Sequence, residues 1–412
     1  MKYDCLIYFL SAKNDNDLKA QLTNNLFTLK KICKEYKKVY FIELYSLQPF
    51  IKKNYLNNKI FYDLDLGNDV KFIQFFSNFS LIKFLKRKKI VGISYISPTY
   101  SNLLLHLIMS FFDIVLIQIQ NVGHHQVISQ KGLNITKKIL FFYLNDRLSR
   151  KITSFLTIIG IFKKVQIRFV SNTKTLFFRK ENFLKKIREK LNLFYVKEFI
   201  LVNSRSYDIV TENIFPIEKK YIVVLDEQLN DPQYLRFRNK YSDEQIQKHY
   251  FNFNNYLKKL SQDLQKEVVI TLHPQDDLNY KKNIFNEFNV VKFRTREFIF
   301  KSYLIIFFES SAIIDALILN KNIVSVKSNI FDINLAGEVD RYAKLLNLSY
   351  LEIDNFPHSQ LNEKNLMEKG IIKSNDVLKN DYKEFLETYV CRETDKSLGY
   401  QKIIDEINRR YF

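Results

Sequence analysis

Short runs of consecutive apolar residues alternate along this chain with longer segments in which apolar positions recur at helical spacing. Unbroken apolar runs are typical of parallel strands buried on both faces. Strands separated by helices imply right-handed crossovers and parallel sheets, so the pattern predicts the α/β fold class. The predicted strands are residues 4–9, 39–44, 90–95, 114–119, 165–170, 199–202, 221–225, 268–272, 290–293, 303–308 and 323–326.

The length of the chain predicts two domains. A chain of 412 residues exceeds the ordinary size of one compact domain. A polar stretch at 204–220, which contains Pro216, separates the two sets of predicted strands. We therefore place one domain at 1–210 and the other at 211–412. Apolar residues make up 46% of the chain, which is enough for a substantial core.

A buried strand at 303–308 leads directly into Glu309, Ser310 and Ser311, and then into an amphipathic segment. The first amides of a helix have no intrahelical partners and lie at the positive end of the helix dipole. Two hydroxyls at that point would add donors, so the junction is a candidate anion site. The alternative is that one of these serines only caps the helix.

Two other predicted strands of the same half also end in polar residues. The strand at 221–225 is followed by Asp226 and Glu227, and the strand at 266–272 by His273 and Pro274. Ligands of open parallel sheets bind beyond the carboxyl ends of the strands. We therefore expect the three polar segments to meet at one cleft, although each alone could be a solvated turn or loop.

The order of these motifs resembles that of bacterial sialyltransferases of the GT-B type, which include lipooligosaccharide sialyltransferases and capsular polysialyltransferases. That family carries an acidic pair followed by glycine, an HP motif and an SS or ST motif. This chain has the acidic pair, His273-Pro274 and Ser310-Ser311, with Gln228 where the family has glycine. The resemblance covers about a quarter of the chain. It implies two Rossmann-like domains whose parallel sheets face a central cleft, with a C-terminal helix at 398–411 that crosses back to the first domain.

The resemblance also implies an activity. A sialic acid-like (nonulosonic) sugar would pass, with inversion and without a metal or other cofactor, from a CMP-activated donor to a surface glycan. Lipooligosaccharide, O-antigen and capsule are the expected acceptors. Asp226 would be the general base, with Glu227 as the substitute candidate. His273 would neutralise or protonate the departing phosphate.

The remaining implied roles concern binding. Pro274 would fix the loop that carries His273, because its ring restricts the backbone. Ser310 and Ser311, preceded by Glu309, would hold the phosphate of the donor. On the acceptor side, Asn121, His124 and His125 follow the strand at 114–119 and could line the cleft, although histidines in a polar loop are more often surface residues.

Positive charge is concentrated in the first half of the chain. Residues 1–200 contain 34 Lys and Arg against 13 Asp and Glu, and the remaining residues contain 30 against 31. The clusters lie at 83–89 and 179–190. Each basic residue near an anionic leaflet contributes roughly 1 kcal/mol. The charge of this half therefore predicts that the protein attaches peripherally to the inner face of the plasma membrane. The alternative is that each basic cluster is only the solvated face of a helix.

Several other classes are disfavoured. The chain has no nucleic-acid-binding motif, and its three cysteines are scattered without metal-ligand spacing, which indicates a cytoplasmic protein with reduced thiols and no metal site. No cleavable signal peptide is evident.

The apolar segment 103–120 divides into a helix and a strand. The segment at 152–162 is too short to span a bilayer and is either an interfacial anchor or a core segment.

Two alternatives to the sialyltransferase hypothesis remain at this stage. Transferases of the same fold could use CMP-Kdo, a CDP-polyol or a UDP-hexose in the synthesis of cell-surface polysaccharide. A non-enzymatic scaffold could bind anionic membranes through the basic half of the chain. The scaffold hypothesis predicts that Asp226→Asn and His273→Ala leave function intact, whereas the transferase hypothesis predicts loss of turnover with retained folding.

Overall fold

The fold is taken from a computed structural model of the whole chain. The structure describes residues 3–12, 14–47, 55–67, 69–94, 103–120, 152, 155–157, 160–171, 196–212, 215–227, 229, 240–274, 276–355, 361–392 and 394–412. Asn121, His124 and His125, Gln228, and the basic cluster at 179–190 lie outside the described residues.

The described residues divide into two compact units. The first unit contains those up to 208 together with 389–412, and the second contains those between 209 and 388. The boundary predicted from the sequence is 210/211, with the last residues in the second domain and their helix crossing back to the first. By contact, these last residues belong to the first unit.

The first unit contains a seven-stranded sheet in which all pairings are parallel, in the order β3-β2-β1-β4-β5-β6-β7. Helices pack on both faces, as the continuous apolar strands require. The strands are β1 (Cys5–Leu10), β2 (Val39–Glu43), β3 (Val70–Gln74), β4 (Ile90–Ser94), β5 (Ile114–Gln120), β6 (Val165–Val170) and β7 (Val196–Leu201). The helices are α1 (Asp15–Glu35), α2 (Asn58–Tyr62), α3 (Asn78–Leu85), α4 (Leu103–Phe111) and, at the boundary, α5 (Arg205–Thr211).

The second unit contains a six-stranded parallel sheet in the order β10-β9-β8-β11-β12-β13. The α/β class and the two Rossmann-like parallel sheets predicted from the sequence are therefore confirmed. The strands are β8 (Tyr221–Leu225), β9 (Glu267–Leu272), β10 (Asn289–Lys292), β11 (Ser302–Phe307), β12 (Asn322–Lys327) and β13 (Ser349–Glu352). The helices are α6 (Asp243–Leu264), α7 (Leu278–Ile284), α8 (Thr295–Phe300), α9 (Ile313–Ile318), α10 (Ile333–Leu345), α11 (Glu363–Glu368) and α12 (Asn375–Tyr389).

The apolar segment at 103–120 is divided between α4 and β5, as predicted. Within the described ranges, no helix combines the length and the apolar character needed to cross a bilayer.

The last helix, α13 (Gly399–Tyr411), packs on the first unit together with α1. The buried carboxylate of Asp208 accepts hydrogen bonds from the backbone amides of Gly399 at 2.6 Å and Tyr400 at 3.0 Å. These are two of the amides that a helix leaves without intrahelical partners. Near the other end, Arg410 donates two hydrogen bonds to Glu198, at 2.6 and 3.0 Å. Both ends of α13 are thus fixed to residues of the first unit.

We expect Gly399→Ala to destabilise the protein by about 3 kcal/mol, the upper part of the range for overpacking. A Cβ atom at this position would lie 2.2 Å from the carbonyl oxygen of Asn203, so backbone atoms must move. Gly337→Ala is the matched control, because Gly337 lies inside α10 with no atom within 4 Å of the added Cβ. It should stabilise by roughly 0.5–1 kcal/mol. Urea unfolding measures both, and equal effects would contradict this packing of α13.

Candidate functional site

The three polar motifs follow three strands that are neighbours in the second sheet. The acidic pair follows β8, the HP motif follows β9, and the serine pair lies shortly after β11. The order β9-β8-β11 places β8 in the middle, and all three strands are parallel. In register, Leu225 lies beside Thr271 on one side and Phe307 on the other. The three motifs therefore begin at the same edge of one sheet.

This edge contains the point at which the strand order reverses. From β8 the chain adds β9 and β10 on one side, and it then returns to add β11, β12 and β13 on the other. In open α/β sheets, ligands bind in the crevice at such a reversal, outside the carboxyl ends of the strands. The acidic pair and the serine pair follow the two strands, β8 and β11, that flank it.

The first acidic residue after β8 continues the alternation of the strand. Ile222 and Val224 point into the core formed with α6, whereas Val223 does not belong to that core. Successive residues of an extended chain alternate between faces, and the amide of Asp226 still bonds to the carbonyl of Thr271 at 3.1 Å. Asp226 therefore shares the face of Val224, the face that α6 covers.

Asp226 is held in a buried ion pair. Its carboxylate accepts a hydrogen bond from Lys281 of α7, and the two side chains are only 1% and 5% exposed. The same ammonium group donates to the hydroxyl of Tyr250 at 2.6 Å and to the carbonyl of Glu227 at 3.4 Å. Burial alone would lower the pKa of Lys281, but the charge of Asp226, with Tyr250 and Asp276, raises it well above its ordinary value. Lys281 thus stays charged, and the carboxylate of Asp226 is occupied by it.

This arrangement argues against Asp226 as the general base. A base must reach the proton of a bound acceptor within hydrogen-bond distance. The carboxylate of Asp226 is enclosed beneath α6 and α7 and neutralised by a lysine. Sequence reasoning missed Lys281 and Tyr250. The available signal was a lysine on the apolar face of a short helix, three residues after Leu278 and four before Phe285.

A buried histidine lies next to this ion pair. His249 of α6 is 1% exposed, and its ring centre lies 5.2–6.2 Å from those of Tyr250, Phe253, Phe308 and Phe331. Its Nδ1 atom is buried without a hydrogen-bond partner among the described residues. Burial lowers the pKa of His249 to about 4, assisted by the charge of Lys281 and opposed by Asp354.

We expect the protein to lose stability as the pH falls from about 6.5 to 4, because the unfolded chain binds a proton at this histidine before the folded chain does. The contribution of His249 to that loss is about 3 kcal/mol. Urea unfolding at several pH values measures the slope. In His249→Leu this part of the slope should disappear, and an unchanged slope would show that the histidine is not held neutral.

The HP motif lies on a loop closed by Asp276. The amide of His273 donates to the carboxylate of Asp276 at 3.0 Å, and the amide of Asp276 donates back to the carbonyl of His273 at 3.0 Å. Lys292 binds the carbonyl of Asp276 at 2.8 Å. Asp276 is buried and Pro274 is half-buried, whereas the side chain of His273 is exposed. The loop is therefore fixed while the imidazole stays accessible.

The serine pair does not open a helix as the sequence predicted. The helix α9 begins at Ile313, and the residue before it has no side-chain cap. Ser310 and Ser311 form the preceding turn, in which their carbonyls accept from Ile313 at 3.2 Å and Ile314 at 3.4 Å. The hydroxyl of Ser310 accepts from Ala312 at 3.3 Å. These three amides are thus engaged within the turn, and the hydroxyls themselves are the remaining groups for an anion.

One cation near this turn was also missed. Arg296 of α8 donates through Nε to Asp315 of α9 at 2.7 Å. Asp315 is buried, and its second oxygen has no partner among the described residues. Ser311 is exposed, while Ser310 and Glu309 are half-buried. The turn before α9 therefore presents accessible hydroxyls, and Asp315 holds the guanidinium of Arg296 at the first turn of α9. Sequence reasoning missed Arg296 because its pairing with Asp315 depends on the packing of two separate helices.

Comparison with known proteins gives no family assignment. No family of known proteins matches the chain, and no curated protein matches it. Among solved structures, the chain is similar to the UDP-GlcNAc 2-epimerase of Methanocaldococcus jannaschii in complex with UDP-GlcNAc and UDP, with TM-score 0.47, 11% identity and coverage of 98% of this chain and 100% of that one. It is similar to the wall teichoic acid polymerase TagF, with TM-score 0.45, 13% identity and coverage of 98% and 88%. It is also similar to MurG of Acinetobacter baumannii, with TM-score 0.42, 10% identity and coverage of 98% and 99%. The resemblance to sialyltransferases continues to rest on the motif residues.

Proposed function

We propose that the protein is a glycosyltransferase of cell-surface glycan synthesis that transfers a nonulosonic sugar from a CMP-activated donor. The observation that carries this proposal is the position of the three motifs, which follow adjacent parallel strands at the reversal point of the second sheet. Such a crevice favours a nucleotide ligand. The motifs there supply a carboxylate, an imidazole and two hydroxyls, the groups that sugar transfer from a phosphate requires.

In this proposal Glu227 takes the role of the base. It directly follows the carboxylate that Lys281 occupies, its own carbonyl accepts a hydrogen bond from Lys281 at 3.4 Å, and like Asp226 it is buried. The oxygen of the acceptor hydroxyl bonds to the anomeric carbon of the donor, and its proton passes to Glu227. The bond from the anomeric carbon to the phosphate oxygen breaks at the same time, and CMP leaves with the bonding electrons.

His273 and the serine pair act on the leaving phosphate. The exposed imidazole of His273 neutralises or protonates the phosphate as negative charge develops on it. The hydroxyls of Ser310 and Ser311 donate hydrogen bonds to the phosphate oxygens. The proposed chemistry uses these donors in place of a metal or another cofactor.

The proposed acceptor is a glycan or glycolipid at the inner face of the plasma membrane. The excess of basic residues in the first half of the chain supports attachment to an anionic leaflet. Localisation in the cytoplasm, at the membrane surface, belongs to the same proposal.

A donor screen tests the proposal. The purified protein is incubated with CMP-sialic acid, CMP-Kdo, CDP-glycerol and UDP-hexoses, and release of the nucleotide is measured with and without a glycan acceptor. We expect release of CMP from CMP-sialic acid and its loss in His273→Ala. Turnover of a UDP-hexose alone would overturn the nonulosonic donor. Absence of turnover with every donor, together with membrane binding that His273→Ala leaves intact, would favour the scaffold.

A further inference from the structure

Helix α4 of the first unit is apolar on its outer surface as well as on its inner one. Its sequence, LLLHLIMSF, contains no charged residue. Leu105, Ile108 and Met109 are buried against the sheet, yet Leu104 is 44% and Phe111 is 78% exposed. A surface helix normally carries polar residues on its outer face. The outer stripe of α4 is therefore suited to contact with an apolar surface outside the protein.

Helix α3 lies on the same face of the sheet as α4 and carries exposed apolar and basic residues. Leu81 and Leu85 belong to the same core cluster as the inner residues of α4, so both helices cover the same face of the sheet. On the outer side of α3, Phe79 is 74% and Ile82 is 37% exposed. Lys83 and Lys86 follow at helical spacing and are also exposed. The outer side of α3 and the residue that ends it thus carry both apolar and basic side chains.

The turn before β6 continues the same surface at the end of α4. The amide of Lys163 donates to the hydroxyl of Ser110 at 2.9 Å, and the ring of Phe162 lies 5.9 Å from that of His106. Ile161, next to these anchored residues, is 46% exposed. The α3–α4 surface is defined by the exposed apolar residues of the two helices and the turn, Phe79, Ile82, Leu104, Phe111 and Ile161, which lie on the face of the sheet that α3 and α4 cover.

Basic residues surround the α3–α4 surface. The segment 86–89, between α3 and β4, contains four consecutive basic residues, of which Lys86 and Arg87 are exposed. Lys83 and Lys164 lie on the adjoining helix and turn. The acidic residues of the same connections, within the described part, are Asp4 and Asp113. Positive charge therefore dominates the rim of an exposed apolar surface.

We propose that the α3–α4 surface docks on an anionic lipid bilayer. The basic rim is complementary to anionic headgroups, and exposed phenylalanines can enter the boundary between headgroups and acyl chains. A protein partner would also cover apolar side chains, but a rim of one sign favours a surface of uniform opposite charge. Docking on the membrane would bring the enzyme to a glycolipid acceptor, and only this consequence rests on the proposed function.

Vesicle binding tests this surface directly. The full chain is sedimented with vesicles of phosphatidylglycerol and phosphatidylcholine, and with phosphatidylcholine alone, at low and high salt. We expect binding to the anionic vesicles only, weakened by salt. Lys83→Gln combined with Lys86→Gln and Arg87→Gln should weaken it roughly 100-fold. Phe79→Ser combined with Phe111→Ser should weaken it by at least about tenfold.

The control is Phe251→Ser, because Phe251 is 68% exposed on α6 of the second unit. It should bind like the unmodified protein. Equal binding by the Phe79/Phe111 variant and this control would overturn the proposal, as would absence of binding to anionic vesicles. Dissociation of a self-associated form by the Phe79/Phe111 variant, without loss of vesicle binding, would identify a second copy as the occupant and overturn it too. Transfer to a soluble acceptor should be unchanged in every variant, so failure of this surface is distinguishable from failure of the proposed function.

Discussion

Glu227→Gln should lower kcat for sugar transfer by about 10²–10⁴-fold, the range that loss of a general base produces. The amide keeps the size of the side chain but cannot accept the proton of the acceptor hydroxyl. Because the donor phosphate is held by other groups, KM for the donor should change little. Steady-state kinetics with the donor identified by the screen measure both constants. Because Glu227 is buried, urea unfolding of the variant is measured alongside, so that loss of turnover is separated from loss of folding.

Asp226→Asn is the matched comparison for that variant. It removes the charge partner of Lys281 and leaves a buried ammonium group unpaired, so its main effect should be on stability, a loss of about 3–5 kcal/mol. The turnover of the molecules that remain folded should be affected far less than in Glu227→Gln. The opposite pattern, with turnover lost in Asp226→Asn and kept in Glu227→Gln, would return the role of base to Asp226.

Lys281→Met should lower the free energy of unfolding by about 3–5 kcal/mol, because it leaves the buried carboxylate of Asp226 without its cation. Methionine has nearly the same volume, so the effect reports the charge and its hydrogen bonds more than a cavity. Lys282→Met is the matched control, since Lys282 is the next residue of the same helix and is exposed. Urea unfolding measures both variants.

The double variant Asp226→Leu with Lys281→Met measures how much of the stability loss comes from leaving one charge of the pair unpaired. Buried ion pairs replaced by apolar residues are often as stable as the original pair. We therefore expect the double variant to recover much of the loss, which gives a favourable coupling energy in the mutant cycle. If Lys281→Met were no more destabilising than Lys282→Met, the buried pair would have no part in holding the acidic segment.

The central strands could be predicted from sequence because both of their faces are buried. The strands β8, β9 and β11 are runs of Val, Ile, Leu and Phe, and each was located to within about one residue. The two strands that the pattern missed, β3 and β13, lie at sheet edges. Lys71 and Glu352 are exposed there, which interrupts the continuous apolar run that identifies a buried strand.

The shared sheet edge of the three motifs was predictable, but their detailed surroundings were not. The carboxyl ends of parallel strands share one edge, so motifs that follow successive buried strands had to lie near one another. Which face Asp226 occupies, and that Lys281 pairs with it, depends on how α7 packs. The beginning of α9 at Ile313, beyond the serines, is equally a matter of local turn geometry that composition does not fix.

A crystal structure of the protein with CMP tests the central claim most directly, because it shows where the nucleotide lies relative to the three motifs. We predict that the phosphate lies within hydrogen-bond distance of His273 and of the hydroxyls of Ser310 or Ser311, at the carboxyl ends of β9 and β11. A nucleotide bound elsewhere, with none of these side chains in contact with its phosphate, would contradict the account.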